Sequence, residues 1–344
     1  MKIFNVFSSR HIGDIFLDSI VLNAIQKLRK DIQINLIVDP KYQIIAVEIQ
    51  KFIRSKINIK SFGENFEGQY VEISPMPRSI NHLIPIIPYF FKKHFFSYVY
   101  YNSFKCSGFG IKKIYLLFQY YLLIIFGSKK VVTNQELQGY IVNEKKYHHI
   151  LDLLVLTSSD YFKINKELIK KKIIENIYLI RKNFIDESLY SKDLLLIPSI
   201  GGTGIAANKS FTNIFINKTI KKFSLDNGTK FIIGKFGNKE FLNFRKKEFV
   251  ETKKYSSLHE LLSLFKNKKL IILPDSFPAH LAVFLGKKTE IYIPGYNFAS
   301  YFPYPEWFPT SKDLIFKFTY KYIDCFACNG ICDYKLRCMN WNEC

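Results

Sequence analysis

The sequence predicts an α/β fold made of two open parallel sheets. Three observations carry this. Short runs of β-branched and leucine residues alternate with stretches of helical apolar spacing, the pattern of strand–helix–strand units. The strand runs of the second half are almost wholly apolar rather than alternating, as strands covered on both faces are. The length, 344 residues, fits two domains at roughly 100–200 residues each. The expected domains are 1–180 and 181–344, with a cleft between them.

Taken in order, the chain opens on the apolar run Lys2–Phe7, read as a first buried strand. That run is too short for a signal peptide, and no small-residue cleavage site follows it. A helix is expected from about Asp14 to Lys30, then a strand over Ile32–Val38 ending at Asp39-Pro40, where proline stops the ladder. This is a β-α-β opening. Residues 40–140 resist a reading because Pro75, Pro77, Pro85 and Pro88 interrupt them. Within them, Ile114–Phe126 is a 13-residue apolar run bracketed by Lys112-Lys113 and Lys129-Lys130. It falls short of the ~20 residues needed to span a bilayer, and reads either as a buried helix or as a segment touching a membrane surface. Ile150–Leu156 is a further buried element, and the lysine-rich helix 164–183 is placed to bridge the halves. The second half supplies strands at Leu194–Ile197, Phe231–Gly234, Leu270–Leu273 and Glu290–Ile293. Helices are expected at Ser210–Leu225, Leu258–Phe265 and Pro278–Leu285.

The composition is basic: 50 Lys+Arg against 29 Asp+Glu give +21, yet only seven of the 50 are arginine. Lysine spread along the chain, with Ile, Asn, Phe and Tyr also abundant, is the mark of compositional drift. The positive field still favours phosphates and anionic headgroups. A core-forming 48% of hydrophobic residues excludes a disordered tail.

Open α/β sheets bind ligands beyond the carboxyl ends of their strands, and three polar groups fall at such positions. The first is Ser8-Ser9-Arg10-His11-Ile12-Gly13-Asp14, where Asp14 opens a helix; a carboxylate there is favoured by the free N–H groups, as a plain cap or as a functional group. The second is the Gly-rich loop Pro198–Asn208 with Gly202, Thr203 and Gly204, followed by Lys209. Such a loop is suited to cradling a diphosphate or is simply a flexible connection, and it matches neither the P-loop nor the dinucleotide fingerprint. The third is Pro274-Asp275-Ser276-Phe277-Pro278-Ala279-His280, with Pro278 suited to the first turn of a helix. His280 lies inside that helix, where a structural histidine is the ordinary alternative.

These three motifs, in this order, resemble glycosyltransferase family 9, the bacterial heptosyltransferases of lipopolysaccharide synthesis. Gly13-Asp14 before an apolar helix, Tyr147–Leu154, Lys209-Ser210-Phe211, Ser256–Leu262, Asp275-Ser276-x-Pro278-x-His280 and Pro294-Gly295 carry the resemblance. It covers about 1–40, 145–160 and 193–340; Phe277 stands where the family usually has glycine. It implies a GT-B fold, two Rossmann-like domains facing a central cleft, the first taking the acceptor and the second the nucleotide-sugar. It implies inverting transfer that needs no cofactor, consistent with the lack of any Asp-x-Asp. Asp14 would be the base and Ser9 and Arg10 acceptor contacts. Gly202, Thr203, Gly204, Lys209, Glu240, Asp275, Ser276 and His280 would be donor contacts, with Glu240 at the ribose. The expected partners are a nucleotide-sugar, ADP-heptose above all, and a membrane-borne glycolipid acceptor at the inner membrane surface. Nucleic acid is not among them. The expected location is the cytoplasm or the inner face of the cytoplasmic membrane.

Two other readings stand beside this one. A transferase of the same fold could use another nucleotide-sugar or a protein acceptor. A basic nucleic-acid-binding module would account for the charge but not for Asp275-Ser276 or the Gly-rich loop. Finally, Cys325, Cys328, Cys332, Cys338 and Cys344 crowd the C-terminus. The first four have spacing open to a structural Zn or Fe site, a reduced cluster, or disulfides.

Overall fold

A computed structural model describes residues 1–8, 11–64, 66–73, 83–92, 94–100, 111–126, 128–132, 140–142, 145–147, 150–184, 193–198, 210–223, 230–236, 248–293 and 314–318. The chain divides into two units, with the boundary between Asn176 and Ile177.

The first unit runs β1 (Lys2–Phe7), α1 (Ile12–Leu28), β2 (Ile32–Val38), α2 (Gln43–Phe52), β3 (Asn58–Ser61), β4 (Gln69–Glu72), α3 (Ile87–Phe90), β5 (Phe95–Tyr100), α4 (Ile111–Phe126) and β6 (Ser128–Val132). A small antiparallel pair, β7 (Tyr140–Val142) and β8 (Lys145–Tyr147), leads to α5 (Ile150–Phe162) and α6 (Lys166–Phe184), within which the unit boundary falls. The six longer-range strands form one parallel sheet in the order β3-β2-β1-β4-β5-β6. The order reverses between β1 and β4, the doubly wound arrangement.

Both faces of this sheet are covered, so β1 and β2 are buried continuously rather than at alternate positions. Helix α1 is buried over Ile15–Ile25 on every side, against α2, α5 and β2. Its polar residues inside that stretch therefore need partners, and they have them. Gln50 of α2 donates to the Ser19 hydroxyl at 2.6 Å, and Asn23 donates to the Ile53 carbonyl at 3.2 Å. Across the sheet, Asn5, Asn35 and Asn58 stand in register on β1, β2 and β3. Their amides link in series: Asn58 Nδ2 to Asn35 Oδ1 at 3.1 Å, and Asn35 Nδ2 to Asn5 Oδ1 at 2.9 Å. A slip of one residue would separate these amides and leave buried polar groups without partners.

The second unit runs β9 (Leu194–Leu196), α7 (Asn213–Phe223), β10 (Phe231–Phe236), β11 (Val250–Tyr255), α8 (Leu258–Phe265), β12 (Leu270–Pro274), α9 (Phe277–Phe284), β13 (Thr289–Ile293) and β14 (Leu314–Phe318). Its sheet is again parallel, in the order β11-β10-β9-β12-β13-β14, and reverses between β9 and β12. Alternate residues of three strands, Leu194 and Leu196, Phe231 and Ile233, Leu270 and Ile272, share one face with Tyr292. Phe215, Ile216 and Ile220 of α7 close over them. The edge strand β11 carries Glu251, Lys253 and Lys254 exposed, which discourages pairing with another chain.

The two open, parallel α/β units expected from the alternating pattern are thus both present. The stretch 40–140 supplies β3 to β6. The apolar run 114–126 is helical as expected, but it is not a buried helix: Gln119 and Leu123 turn inward while Ile114, Leu117, Phe118, Tyr121, Ile124 and Ile125 are exposed. Among the described residues no helix is long and apolar enough to cross a membrane.

Candidate active site

In the first unit the candidate groups gather beyond the carboxyl ends of β1 and β2, beside the point where strand order reverses. Asp14 is the third residue of α1, and its carboxylate accepts the backbone N–H of His11 at 3.2 Å. The helix begins there because His11 is extended, with φ −128° and ψ 165°, and its carbonyl accepts the first intrahelical bond from Ile15 N at 3.0 Å. Asp14 is therefore a helix cap in this structure. It is also only half-buried, which leaves its carboxylate access to a ligand.

One turn on, Asp18 is fully buried and accepts the hydroxyl proton of Ser8, tying the end of β1 to α1. From the end of β2, Asp39 accepts the backbone N–H of Lys41 at 3.1 Å and pairs with the Lys41 ammonium at 2.9 Å. That ammonium lies over the Tyr42 ring at 4.8 Å from its centre. Burial first, and then the negative charges of Asp39 and Asp14, push the Tyr42 phenol above its ordinary value, outweighing the opposing effect of Lys41. Tyr42 so remains a neutral hydroxyl. Asp18, Asp39, Lys41 and Tyr42 were not singled out from the sequence. The Asp14/Asp18 spacing of four, which puts both on one face of a helix, was the available signal.

In the second unit Asp275 follows β12, again beside the reversal point, and is buried. Its backbone N–H continues the ladder to the Tyr292 carbonyl at 3.0 Å, so its position is set by the sheet. Ser276 caps α9 with extended backbone and donates its hydroxyl to the Pro274 carbonyl at 2.9 Å. Pro278 occupies the first turn, as expected. His280 is buried on the same helix, its N–H bonded to the Ser276 carbonyl at 3.2 Å. Asp275, Ser276 and His280 are therefore brought together by one strand–helix turn.

The far end of α9 is held by a residue the sequence did not mark. Arg181 of α6 donates from Nε to the Phe284 carbonyl at 2.7 Å and from a terminal nitrogen to the Val283 carbonyl at 2.8 Å. A cation at a helix C-terminus satisfies carbonyls that lack intrahelical partners. Burial lowers its pKa to about 10, still far above neutrality, so it stays charged. Gly286 follows with φ +70°, and a Cβ there would meet the guanidinium carbon at 3.0 Å. Arg181→Ala is expected to cost about 2 kcal/mol, the scale of a hydrogen bond to a charged group. A lowered denaturant midpoint measures it, and Arg181→Lys should recover only part because it lacks the planar fork.

At the end of β11, Ser257 and Glu260 form a capping box for α8. The Glu260 carboxylate accepts the N–H of Ser256 at 2.5 Å, the Ser256 hydroxyl at 2.9 Å and the N–H of Ser257 at 3.2 Å. The Ser256 N–H above all holds its carboxyl below the ordinary value of 4.5. A carboxylate depressed on folding stabilises the fold above its unfolded pKa and loses that contribution as pH falls through the folded value. The stability difference between wild type and Glu260→Gln should therefore be full at pH 7 and shrink on acidification below pH 4.5, as urea titrations would show.

Ser9, Arg10, Gly202, Thr203, Gly204, Lys209, Glu240, Cys325, Cys328, Cys332 and Cys338 lie outside the described residues. Among the described residues no group of three or more His, Cys, Asp or Glu is placed to hold one metal ion.

No family model matches the chain, and no curated protein matches it either. Among solved structures it is similar to E. coli ADP-heptose lipopolysaccharide heptosyltransferase II, at 12% identity over 94% of this chain and 91% of that one, with a TM-score of 0.47. A glycosyl transferase family 9 protein from Veillonella parvula is similar at 13% identity, over 92% and 85%, with a TM-score of 0.46. A UDP-GlcNAc 2-epimerase from Neisseria meningitidis, bound to UDP-GlcNAc, follows at 12% identity, over 92% and 87%, with a TM-score of 0.39. At these identities no residue role passes from those proteins to this chain.

Proposed function

We propose that the protein is an inverting, metal-independent glycosyltransferase. In this reading it moves a sugar, heptose from ADP-heptose by the motif resemblance, onto a lipopolysaccharide core or related membrane-borne glycan. The observation that carries the reading is positional. Each unit is a parallel sheet whose order reverses once, and Asp14 and Asp275 follow strands at the two reversal points. Ligands bind at such points in open α/β sheets.

The first unit takes the acceptor, with Ser9 and Arg10 as contacts, and the second takes the donor. The acceptor hydroxyl oxygen attacks the anomeric carbon as the bond from that carbon to the diphosphate oxygen breaks. The electron pair leaves with the nucleoside diphosphate, and the hydroxyl proton passes to the Asp14 carboxylate. Lys209 and the N–H groups around Gly202, Thr203 and Gly204 stabilise the charge gathering on the diphosphate. Asp275, with Ser276 and His280 around it, orients the donor sugar, and Glu240 holds the ribose. The reaction takes place at the cytoplasmic face of the membrane, where both substrates meet.

Donor binding tests the reading before turnover does. Calorimetric titration with a panel of nucleoside diphosphates and nucleotide-sugars should give one preferred base, with ADP ahead of UDP and GDP. Equal, weak and fully salt-sensitive binding to all of them would instead indicate a basic surface without a donor site.

A further inference from the structure

Helix α4 carries a surface feature that the transferase reading does not use. Ile114, Phe118, Tyr121 and Ile125 are 68%, 58%, 57% and 69% exposed, with Leu117 and Ile124 beside them also exposed. Their spacings of three, four and seven put them on one stripe of the helix. The opposite side is anchored: Gln119 and Leu123 are buried, and the helix packs on β5 and β6. This apolar face is continuous along the helix, unlike the scattered apolar residues that any soluble surface shows.

Charge says what covers it. Between Glu72 and Glu136 the chain has eight Lys or Arg and no Asp or Glu at all. Two of the lysines, Lys112 and Lys113, lie in the first turn of α4, and Lys129 and Lys130 follow its end. Ile84 and Phe91, in the same acid-free stretch, are exposed as well. A second copy of the chain would bring two such basic stretches together, which is repulsive. An anionic lipid surface offers the opposite charge at the rim and hydrocarbon at the centre. With 16 residues, α4 is about 24 Å long at 1.5 Å per residue, less than the ~30 Å hydrocarbon core. A helix so short and so anchored on one side is suited to lie in the interface plane, not to cross it.

We propose that the exposed face of α4 is a membrane-docking surface that inserts Ile114, Phe118, Tyr121 and Ile125 into the headgroup–acyl boundary of an anionic bilayer. Docking does not depend on the transferase reading, and its failure would leave that reading standing.

The test is flotation of the full chain with phosphatidylcholine vesicles and with vesicles of phosphatidylcholine and phosphatidylglycerol. The wild type should float with the anionic vesicles and much less with the neutral ones. The double variant Phe118→Gln/Ile125→Gln should partition about 10- to 100-fold less. Its thermal midpoint should be unchanged, since both side chains are exposed. Replacing Lys112, Lys113, Lys129 and Lys130 with Gln should remove the preference for anionic vesicles. Three results would overturn the proposal: equal flotation of wild type and double variant; no flotation of the wild type together with a dimer that the double variant dissolves; or a clear loss of thermal stability in the double variant, which would mean that the chain itself covers the face.

Discussion

Replacing Asp14 with Asn is expected to lower turnover by about 10²- to 10⁴-fold, the range that a positioned base contributes, while donor affinity stays within about twofold. The choice of Asn separates two roles of the same side chain. In the structure the Asp14 carboxylate accepts the His11 N–H at 3.2 Å, so it caps α1 whatever else it does. The amide oxygen of Asn accepts that bond too, and the helix start survives. Asp14→Ala removes both roles and should add a stability loss of about 1 kcal/mol, typical of a lost cap. If Asp14→Asn folds normally and keeps wild-type turnover, Asp14 is a cap and nothing more. The same experiment bears on Ser8→Ala, which removes one hydrogen bond from the buried Asp18 carboxylate one turn below. That change should act on stability and leave donor affinity alone.

Asp275→Ala is the second large effect. Asp275 is buried at the end of β12, and its backbone is fixed by the ladder bond to Tyr292. A carboxylate so placed loses little freedom on accepting sugar hydroxyls. We expect kcat/KM for the cognate donor to fall about 100-fold, the scale of one or two charge-assisted hydrogen bonds. The variant should discriminate less against a donor lacking the contacted hydroxyl, because the lost bond no longer differs between the two donors. A fall of equal size for cognate and deoxygenated donors would assign Asp275 to the fold instead. Thermal melts of Asp275→Ala and Asp275→Asn distinguish these cases.

Much of this architecture is legible in the sequence, for physical reasons that differ by segment. The opening β-α-β unit and the strands at Leu194, Phe231, Leu270 and Glu290 declare themselves because strands buried on both faces are mostly apolar, with little polar alternation. Helix α8 matches its expected bounds, Leu258–Phe265, because Ser257 and Glu260 spell a capping box. By contrast β3 and β4 are four residues each, Asn-Ile-Lys-Ser and Gln-Tyr-Val-Glu, too short and polar to signal. Their place is fixed by neighbours, through Asn58 bonded to Asn35 and through pairing of β4 with β1. The site divides in the same way. Asp14 stands in the first turn of the helix after β1, and Asp275 and Ser276 stand at the end of β12, where local sequence shows them. Arg181 reaches α9 from more than 100 positions away along the chain, and Ser8 meets Asp18 through the fold of a turn. No local pattern announces contacts of that kind. The reading of Ile114–Phe126 failed as a buried helix because an apolar run shows what a segment can bury, not what covers it.

Asp14, Asp275 and the Gly-rich loop form a single chemical proposal, and one measurement meets it directly: nucleoside diphosphate release from a donor panel, with and without a lipopolysaccharide-core acceptor, in the presence of EDTA. The expected result is release from one donor, ADP-heptose first, that depends on the acceptor, persists in EDTA and disappears in Asp14→Asn. Release from no donor with any acceptor, or release that Asp14→Asn leaves intact, would contradict it.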